Sequence, residues 1–220
     1  MKHVFVVTYG RSGSTALMMA LNAIEGACIR GQNGGVLEPL VEAARVARIT
    51  KRRLEDGDSG PRTPWYGAGE IQPQRFARSM ARSFVQHILV PPEGTRVAGF
   101  SGIGYTADTM TDESFEAVVS FILRHFEDSR IIFLTRDPEA VSHSGWWQDR
   151  DHDAVVDMLH ETIHRFELAH QRFPERSYML DHASFDQNPE GLRPLLDWLG
   201  EDVPPDRLAE ALSERLSHLR

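Results

Sequence analysis

The way the chain begins constrains its fold most: a short strand pattern runs into a glycine-rich turn, and the turn runs into a helix pattern. Residues His3–Thr8 are apolar and β-branched without polar alternation, which is typical of a central strand covered on both faces. The next segment, Ser14–Ile24, has apolar residues at helical spacing. A strand, a glycine-rich turn and a helix in this order open a doubly wound α/β domain.

Strand and helix patterns alternate along the rest of the chain. Strands are predicted at Arg96–Phe100, Arg130–Thr135 and Ser177–Leu180. Helices are predicted at Gln74–Leu89, Asp112–Phe126, Asp153–Arg172, Pro189–Leu199 and Asp206–Leu219. This alternation predicts parallel strands. We therefore expect an α/β fold, a three-layer sandwich with a central, mostly parallel sheet, formed by residues 1–220 as one domain.

A stretch rich in glycine and proline, Glu55–Gln72, interrupts this alternation. A long stretch without regular structure is usually functional or disordered. Trp65 and Tyr66 within it favour a structured loop that covers a substrate. Residues 55–90 are therefore predicted to be an insertion of a loop and a helix that covers the substrate.

The composition excludes several classes of protein. A net charge of −8 argues against a general nucleic-acid binder, and the single cysteine, Cys28, excludes a disulfide framework within the chain. No apolar run approaches the roughly 18 residues of a membrane span, and the first residues lack a secretory signal pattern. These observations predict a cytoplasmic protein with no nucleic-acid partner and no membrane span. The sequence has no paired cysteines and no dense acidic triad, so we expect no metal.

The turn after the first strand predicts an anion-binding loop. Gly10 and Gly13 allow the backbone to turn tightly and to approach a ligand, and a helix N-terminus attracts phosphate or sulfate. Arg11 adds a charged donor. Hydroxyl donors are available from Ser12, Ser14 and Thr15. The alternative is an ordinary turn between a strand and a helix. The lysine of an ATP-binding P-loop is absent, as is the dinucleotide fingerprint G-x-G-x-x-G.

The same loop resembles a known motif. Tyr9–Thr15 (Tyr-Gly-Arg-Ser-Gly-Ser-Thr) is similar to the 5′-phosphosulfate loop of the sulfotransferases that use PAPS (3′-phosphoadenosine 5′-phosphosulfate). Arg136, at the end of a predicted strand, and Ser144, eight residues later, resemble the 3′-phosphate motif of that family. Two turns of helix between them would bring the serine hydroxyl back toward the same phosphate. Ser177–Phe185 and Pro189–Gly200 resemble the closing segments of the family.

The resemblance implies a P-loop-like fold and a compact bacterial sulfotransferase. Such an enzyme transfers a sulfuryl group from PAPS, without a metal, to a hydroxyl of a small-molecule or glycan acceptor. The residues expected to bind PAPS are Arg11, Ser12, Gly13, Ser14, Thr15, Arg136 and Ser144. The resemblance specifies neither the acceptor nor an oligomeric state. Two alternatives stay open: a P-loop-like kinase or phosphotransferase, and a non-catalytic regulator that binds PAPS or its product PAP.

The predicted catalytic residues are Arg11 and Glu38. Arg11 suits the charge that develops on a leaving phosphate. Some sulfotransferases take the acceptor proton with a glutamate after the first helix, and Glu38, which follows a glycine-rich segment, resembles that residue. Alternative bases are Glu70, in the long loop, and His143, beside the 3′-phosphate motif.

One position departs from the family pattern. Similar bacterial members often have a lysine that would help to hold the sulfuryl oxygens, and this chain has Ser101 there. Arg62, in the long loop, is a candidate for supplying the missing charge. Trp146 and Trp147 are candidates for flanking the adenine or the acceptor, with core packing expected for at least one of them.

Overall fold

A computed structural model describes residues 1–53 and 60–217. It contains one five-stranded sheet, parallel throughout, with the strand order β2-β3-β1-β4-β5. The strands are β1 (Lys2–Val7), β2 (Ala27–Arg30), β3 (Val97–Gly102), β4 (Ser129–Thr135) and β5 (Ser177–Asp181). The α-helices are α1 (Ser14–Asn22), α2 (Leu37–Arg52), α3 (Pro73–Phe84), α4 (Asp112–His125), α5 (Pro138–Ser142), α6 (His152–Arg172), α7 (Arg193–Leu199) and α8 (Pro205–Ser217).

The central strand β1 contributes to two cores, one on each face of the sheet. Phe5 and Val7 belong to the core formed with helices α2 to α6. Val4 and Val6 belong to the core formed with α1, α7 and α8. All four side chains are fully buried, as an apolar strand without polar alternation requires. Helices therefore cover both faces, and the predicted three-layer α/β sandwich is confirmed.

Some elements differ from the sequence patterns. The edge strand β2 is not predicted, because it has only four residues and two of them, Ala27 and Cys28, are half-buried. The predicted helix Gln74–Leu89 is present as α3, and the π-helical turn Val85–Leu89 continues it. Parts of the predicted loop Glu55–Gln72 and helix Asp206–Leu219 lie outside the described residues. None of the described helices is long and apolar enough to cross a membrane.

The sheet brings three chain segments to one place. The ladder pairs Val7, at the end of β1, with Gly102 of β3 on one side and Phe133 of β4 on the other. The three strands are parallel, so their carboxyl ends lie at the same edge, where open α/β sheets bind ligands. The segments that follow them converge there: the glycine-rich loop, residues 103–105 and Arg136.

Candidate active site

The loop after β1 ends in an uncapped helix N-terminus. Gly13 is the N-cap of α1, has a φ of +90° and provides no side-chain hydrogen bond, whereas Thr111, Asp137 and Asp151 cap α4, α5 and α6 with their side chains. The first N–H groups of α1 are therefore available to an anion. Arg11 also has a left-handed backbone, with a φ of +68°, which is uncommon for a residue with a side chain.

Two aromatic rings from distant parts of the chain lie against the glycines of this loop. A Cβ atom on Gly10 would lie 2.2 Å from the ring of Trp146, and one on Gly13 would lie 2.1 Å from the ring of His182. Trp147 donates a hydrogen bond from Nε1 to the Gly10 carbonyl oxygen, at 3.1 Å. A methyl group would therefore displace the half-exposed ring of Trp146 at Gly10 and the buried ring of His182 at Gly13.

The two predicted phosphate motifs contact each other directly. Arg11 donates from Nε to Ser144 Oγ at 3.0 Å, and the Arg136 guanidinium donates to the Arg11 carbonyl oxygen at 2.8 Å. The Tyr9 hydroxyl donates to the Arg136 carbonyl oxygen at 2.7 Å and accepts from the Arg136 N–H at 2.8 Å. Burial raises the pKa of Tyr9, so its hydroxyl keeps the proton that it donates. Gly145 lies against the Arg11 side chain.

The helix between Arg136 and Ser144 is shorter than predicted. The expectation of two helical turns is wrong, because α5 has only five residues and ends before Ser144. The chain leaves the helical path at Ser144, which is extended with a φ of −120° and a ψ of 125°, and Gly145 follows it with a φ of +63°. Ser144 therefore reaches the site from an extended conformation and accepts its hydrogen bond from Arg11.

A cavity of about 360 Å³ opens between these segments. It is lined by Gly10, Arg11, Gly13, Ser14, Thr15, Ala16, Met19, Gln32, Ile103, Arg136 and Trp146. The lining combines two guanidinium groups, two hydroxyls and the helix N-terminus, with the half-exposed Trp146 as one wall. We call it the donor cavity. Its charged and polar groups are suited to hold an anionic ligand.

A second cavity, of about 230 Å³, adjoins the first. Gln32 and Ile103 line both cavities. Glu38, in the first turn of α2, lines the second cavity together with Tyr105. Burial raises the pKa of Tyr105, and the nearby Glu38 carboxylate raises it further. We call this space the Glu38 cavity. It places a carboxylate next to the donor cavity.

Comparison with known proteins identifies the family of the chain. The family model described as the sulfotransferase family matches residues 3–205. The chain belongs to the sulfotransferase family. Among solved structures, the chain is similar to the sulfotransferase domain of the olefin synthase from Synechococcus PCC 7002, with 19% identity, a TM-score of 0.60, and coverage of 94% of this chain and 76% of that one.

A second similar structure is the sulfotransferase domain from the curacin biosynthetic pathway, with 14% identity, a TM-score of 0.55, and coverage of 96% of this chain and 77% of that one. A search of curated proteins found no match. At these identities the solved structures show the fold alone, and they confirm the P-loop-like α/β fold of this sulfotransferase. Because the chain belongs to this family, it is a transferase.

Two serines of this sulfotransferase are buried at the site. Ser12 is fully buried and Ser101 is nearly so, and neither hydroxyl has a hydrogen-bond partner among the described residues. Buried polar groups without partners are rare, and they mark places where a ligand or water completes the hydrogen bonding. Ser101 precedes the last residue of β3, two residues before Ile103 of the shared cavity wall.

The remaining candidates lie outside both cavities. Glu70 is exposed at the end of the 3₁₀ turn Ala68–Glu70, and Arg62 is exposed in the described part of the long loop. His143 is exposed and stacks on His152. Neither the donor cavity nor the Glu38 cavity is lined by Glu70, Arg62 or His143. Of the three predicted bases, Glu38 is the one that the structure brings next to the donor cavity.

Sequence reasoning missed His182, whereas the expected core packing of at least one of Trp146 and Trp147 is confirmed. His182 is buried directly after β5, 3.2 Å from Asp186, and its ring supports Gly13. The sequence could have pointed to His182 because it closely follows a predicted parallel strand, and residues at such positions lie at the ligand-binding edge of the sheet. Trp147 packs in the core, and Trp146 remains 51% exposed over Gly10.

Proposed function

We propose that this sulfotransferase transfers the sulfuryl group of PAPS to a hydroxyl of a small-molecule or carbohydrate acceptor. One observation carries the proposal: the two phosphate motifs are hydrogen-bonded to each other, through Arg11 to Ser144 and Arg136 to Arg11. Two guanidinium groups beside an uncapped helix N-terminus favour a ligand with two separate anionic groups. PAPS has such groups on its 5′ and 3′ oxygens.

The residues at the site fit this donor. The first N–H groups of α1 and the hydroxyls of Ser14 and Thr15 face the donor cavity and suit the 5′-phosphosulfate. Arg136 and Ser144 suit the 3′-phosphate. The buried Ser12 hydroxyl, which has no partner among the described residues, can complete its hydrogen bonding at the loop.

The reaction requires charge stabilisation and a proton acceptor. When bound, PAPS supplies a sulfuryl group whose bond to the 5′-phosphate oxygen breaks as a bond to the acceptor oxygen forms. Arg11 and the N–H groups of the first turn of α1 stabilise the negative charge on the leaving phosphate. Glu38 takes the proton of the acceptor hydroxyl. Arg136 and Ser144 hold the part of the donor that does not react, which fixes its orientation.

The Glu38 cavity is the proposed acceptor site. Its walls are largely apolar or backbone, with Phe100, Gly102, Tyr105 and Met110 among them. A volume of about 230 Å³ suits a small acceptor or the end of a longer one. Because this cavity shares Gln32 and Ile103 with the donor cavity, an acceptor hydroxyl can lie between Glu38 and the donor.

Donor binding is tested by titrating PAP into the wild type and Arg136→Ala by calorimetry. We expect the variant to bind PAP about 10- to 100-fold more weakly, since a hydrogen bond to a charged group contributes about 1.5–3 kcal/mol. Arg172→Ala is the matched control, because Arg172 is exposed at the end of α6 and pairs with Glu116 away from the site. No PAP binding by the wild type, or equal binding by all three proteins, would contradict the proposal.

The base is tested once an acceptor has been found by screening hydroxyl compounds with PAPS for the mass gain of a sulfuryl group. Glu38→Gln is expected to bind PAP normally and to transfer about 100-fold more slowly or worse. Glu42→Gln, one turn further along α2 and exposed beside Arg45, should transfer at the wild-type rate. Near-normal transfer by Glu38→Gln would move the role to Glu70 or His143. Binding of PAP without transfer to any acceptor would favour a regulator.

A further inference from the structure

The turn between α5 and α6 brings together two histidines and a glutamate. They are Glu139 of α5, His143 just after it, and His152 at the start of α6, and one potential ligand atom from each lies within 4.8 Å of the other two. We propose that these three side chains form a binding site for a divalent transition-metal ion, with Zn²⁺ as the best match. The H-x-x-x-H spacing does not reveal these three residues, because His143 and His152 are nine residues apart and lie at the ends of two different helices.

The hydrogen bonds of Ser142 fix the orientation of His152. The buried Ser142 hydroxyl donates its proton to the Glu139 carbonyl oxygen at 2.7 Å, so its oxygen is left to accept from His152 Nδ1 at 3.0 Å. A neutral His152 therefore carries its proton on Nδ1 and a lone pair on Nε2. Histidines that bind metals are usually held in this way by a hydrogen bond from the other ring nitrogen.

The distance between His152 and Glu139 suits a metal. Nε2 of His152 lies 3.2 Å from the Glu139 Oε2 atom, and both atoms are acceptors when the ring is neutral, so either a proton or a metal ion must lie between them. Zinc binds nitrogen and carboxylate oxygen at about 2.0–2.2 Å, and tetrahedral angles then separate two ligand atoms by about 3.3 Å. A direct charged hydrogen bond between the two side chains would be shorter, about 2.7–2.9 Å.

His143 supplies the third ligand. Its ring stacks on His152 with 4.9 Å between centroids and 20° between planes, and it forms no hydrogen bond or ion pair with the described residues. Because the His143 side chain is exposed, it can rotate until one of its ring nitrogens reaches a metal ion held by Glu139 and His152. Two imidazole nitrogens and one carboxylate oxygen, with an open fourth position, match zinc. Mg²⁺ and Ca²⁺ prefer oxygen ligands and are a poorer match.

Occupation of this site would fix the segment that carries Ser144 and Trp146. Both residues lie between His143 and His152, so a metal would hold the two ends of their segment together. Ser144 accepts the hydrogen bond of Arg11, and Trp146 lines the donor cavity. We therefore expect the bound metal to tighten PAP binding by pre-organising the site. This consequence, unlike the metal site itself, rests on the proposed function.

Cobalt(II) is the probe, because its visible absorption reports tetrahedral coordination without any catalytic assay. Full-length protein treated with a chelator is titrated with Co²⁺ alone. The wild type should bind one equivalent with an intense visible band, and His143→Ala and His152→Ala should lose the band. Ser142→Ala should weaken Co²⁺ binding about 10- to 100-fold, the usual effect of removing a partner of a metal-binding histidine.

His87→Ala is the matched control, because His87 is exposed on the π-helical turn Val85–Leu89. It should bind Co²⁺ like the wild type. Absence of saturable binding, or equal binding by wild type, His143→Ala and His152→Ala, would show that Glu139 and His152 form only an ion pair. If circular dichroism shows that His152→Ala is unfolded, Co²⁺ binding by His143→Ala tests the metal site instead, because His143 is exposed.

A parallel PAP titration separates the two proposals. Chelator-treated protein that binds PAP but no Co²⁺ would refute the metal site and leave the proposed function intact. Protein that binds Co²⁺ but no PAP would refute the proposed function and leave the metal site intact. If both bind and Co²⁺ does not lower the dissociation constant of PAP, the coupling between them is refuted.

Discussion

Replacing Gly13 by alanine tests whether the packing of His182 shapes the anion loop. Gly13 has a φ of +90°, and an alanine Cβ there would lie 2.1 Å from Cδ2 and 2.7 Å from Nε2 of the buried His182 ring. Alanine in this left-handed backbone conformation lowers the free energy of unfolding by about 1–2 kcal/mol. Displacement of the ring adds about 1–3 kcal/mol, the usual effect of overpacking. The two effects together predict a loss of roughly 2–5 kcal/mol in the free energy of unfolding.

Thermal and denaturant unfolding measure this loss. For a chain of 220 residues, each kcal/mol lowers Tm by about 2–4 °C, so we expect a Tm lower by roughly 5–20 °C. Gly200→Ala is the matched control, because Gly200 has a φ of +69° and nothing within 4 Å of the added Cβ. It should show the backbone effect alone, about 1–2 kcal/mol.

A double-mutant cycle isolates the contact. In a His182→Ala background, Gly13→Ala should destabilise only by the backbone effect, which leaves a coupling free energy of about 1–3 kcal/mol between the two positions. PAP binding should also be lost in Gly13→Ala, since either the His182 ring or the backbone of the anion loop must move to make room for the methyl group. Equal losses of stability in Gly13→Ala and Gly200→Ala would show that the contact with His182 does not shape the loop.

Two further predictions concern Trp146 and His3. Gly10→Ala should displace the half-exposed Trp146 ring, which weakens PAP binding and shifts tryptophan emission while the free energy of unfolding changes by about 1 kcal/mol or less. Unchanged PAP affinity would contradict this. Burial lowers the pKa of His3, so below about pH 6.5 the unfolded chain binds a proton that the folded chain rejects, and stability falls by up to about 1.4 kcal/mol per pH unit. His3→Phe should give a shallower fall in urea titrations between pH 7 and 5; an equal slope would refute the assignment.

Local patterns predict the sheet better than the site. Strands β1, β3 and β4 are apolar because helices cover both faces, and this burial is visible in each short run of residues. The edge strand β2 lacks that signal, since it has a neighbour on one side only and its side chains are largely half-buried or exposed. Burial leaves a trace in composition, and β2, with one buried side chain among its four residues, leaves almost none.

The partners of the site residues could not be predicted in the same way. The motifs identify Arg11 and Ser144, yet their hydrogen bond depends on α5 ending at Ser142 and on the extended backbone of Ser144, which a helical spacing argument overlooks. Likewise, the contact of His182 with Gly13 joins residues 169 positions apart, and no local pattern specifies it. Residue types at strand ends are readable from sequence, whereas contacts between distant loops follow from packing.

The placement of the anion loop also has a consequence for synthesis of the chain. The loop is complete within the first fifteen residues, but the hydrogen bonds from Arg136 to Tyr9 and Arg11 span 127 and 125 residues, and the bond from Trp147 to Gly10 spans 137. A nascent chain therefore leaves the ribosome with its loop long before its partners exist, and contacts of such large sequence separation form late in folding. The donor cavity is thus complete only when synthesis has passed Trp147 and the central strands have paired.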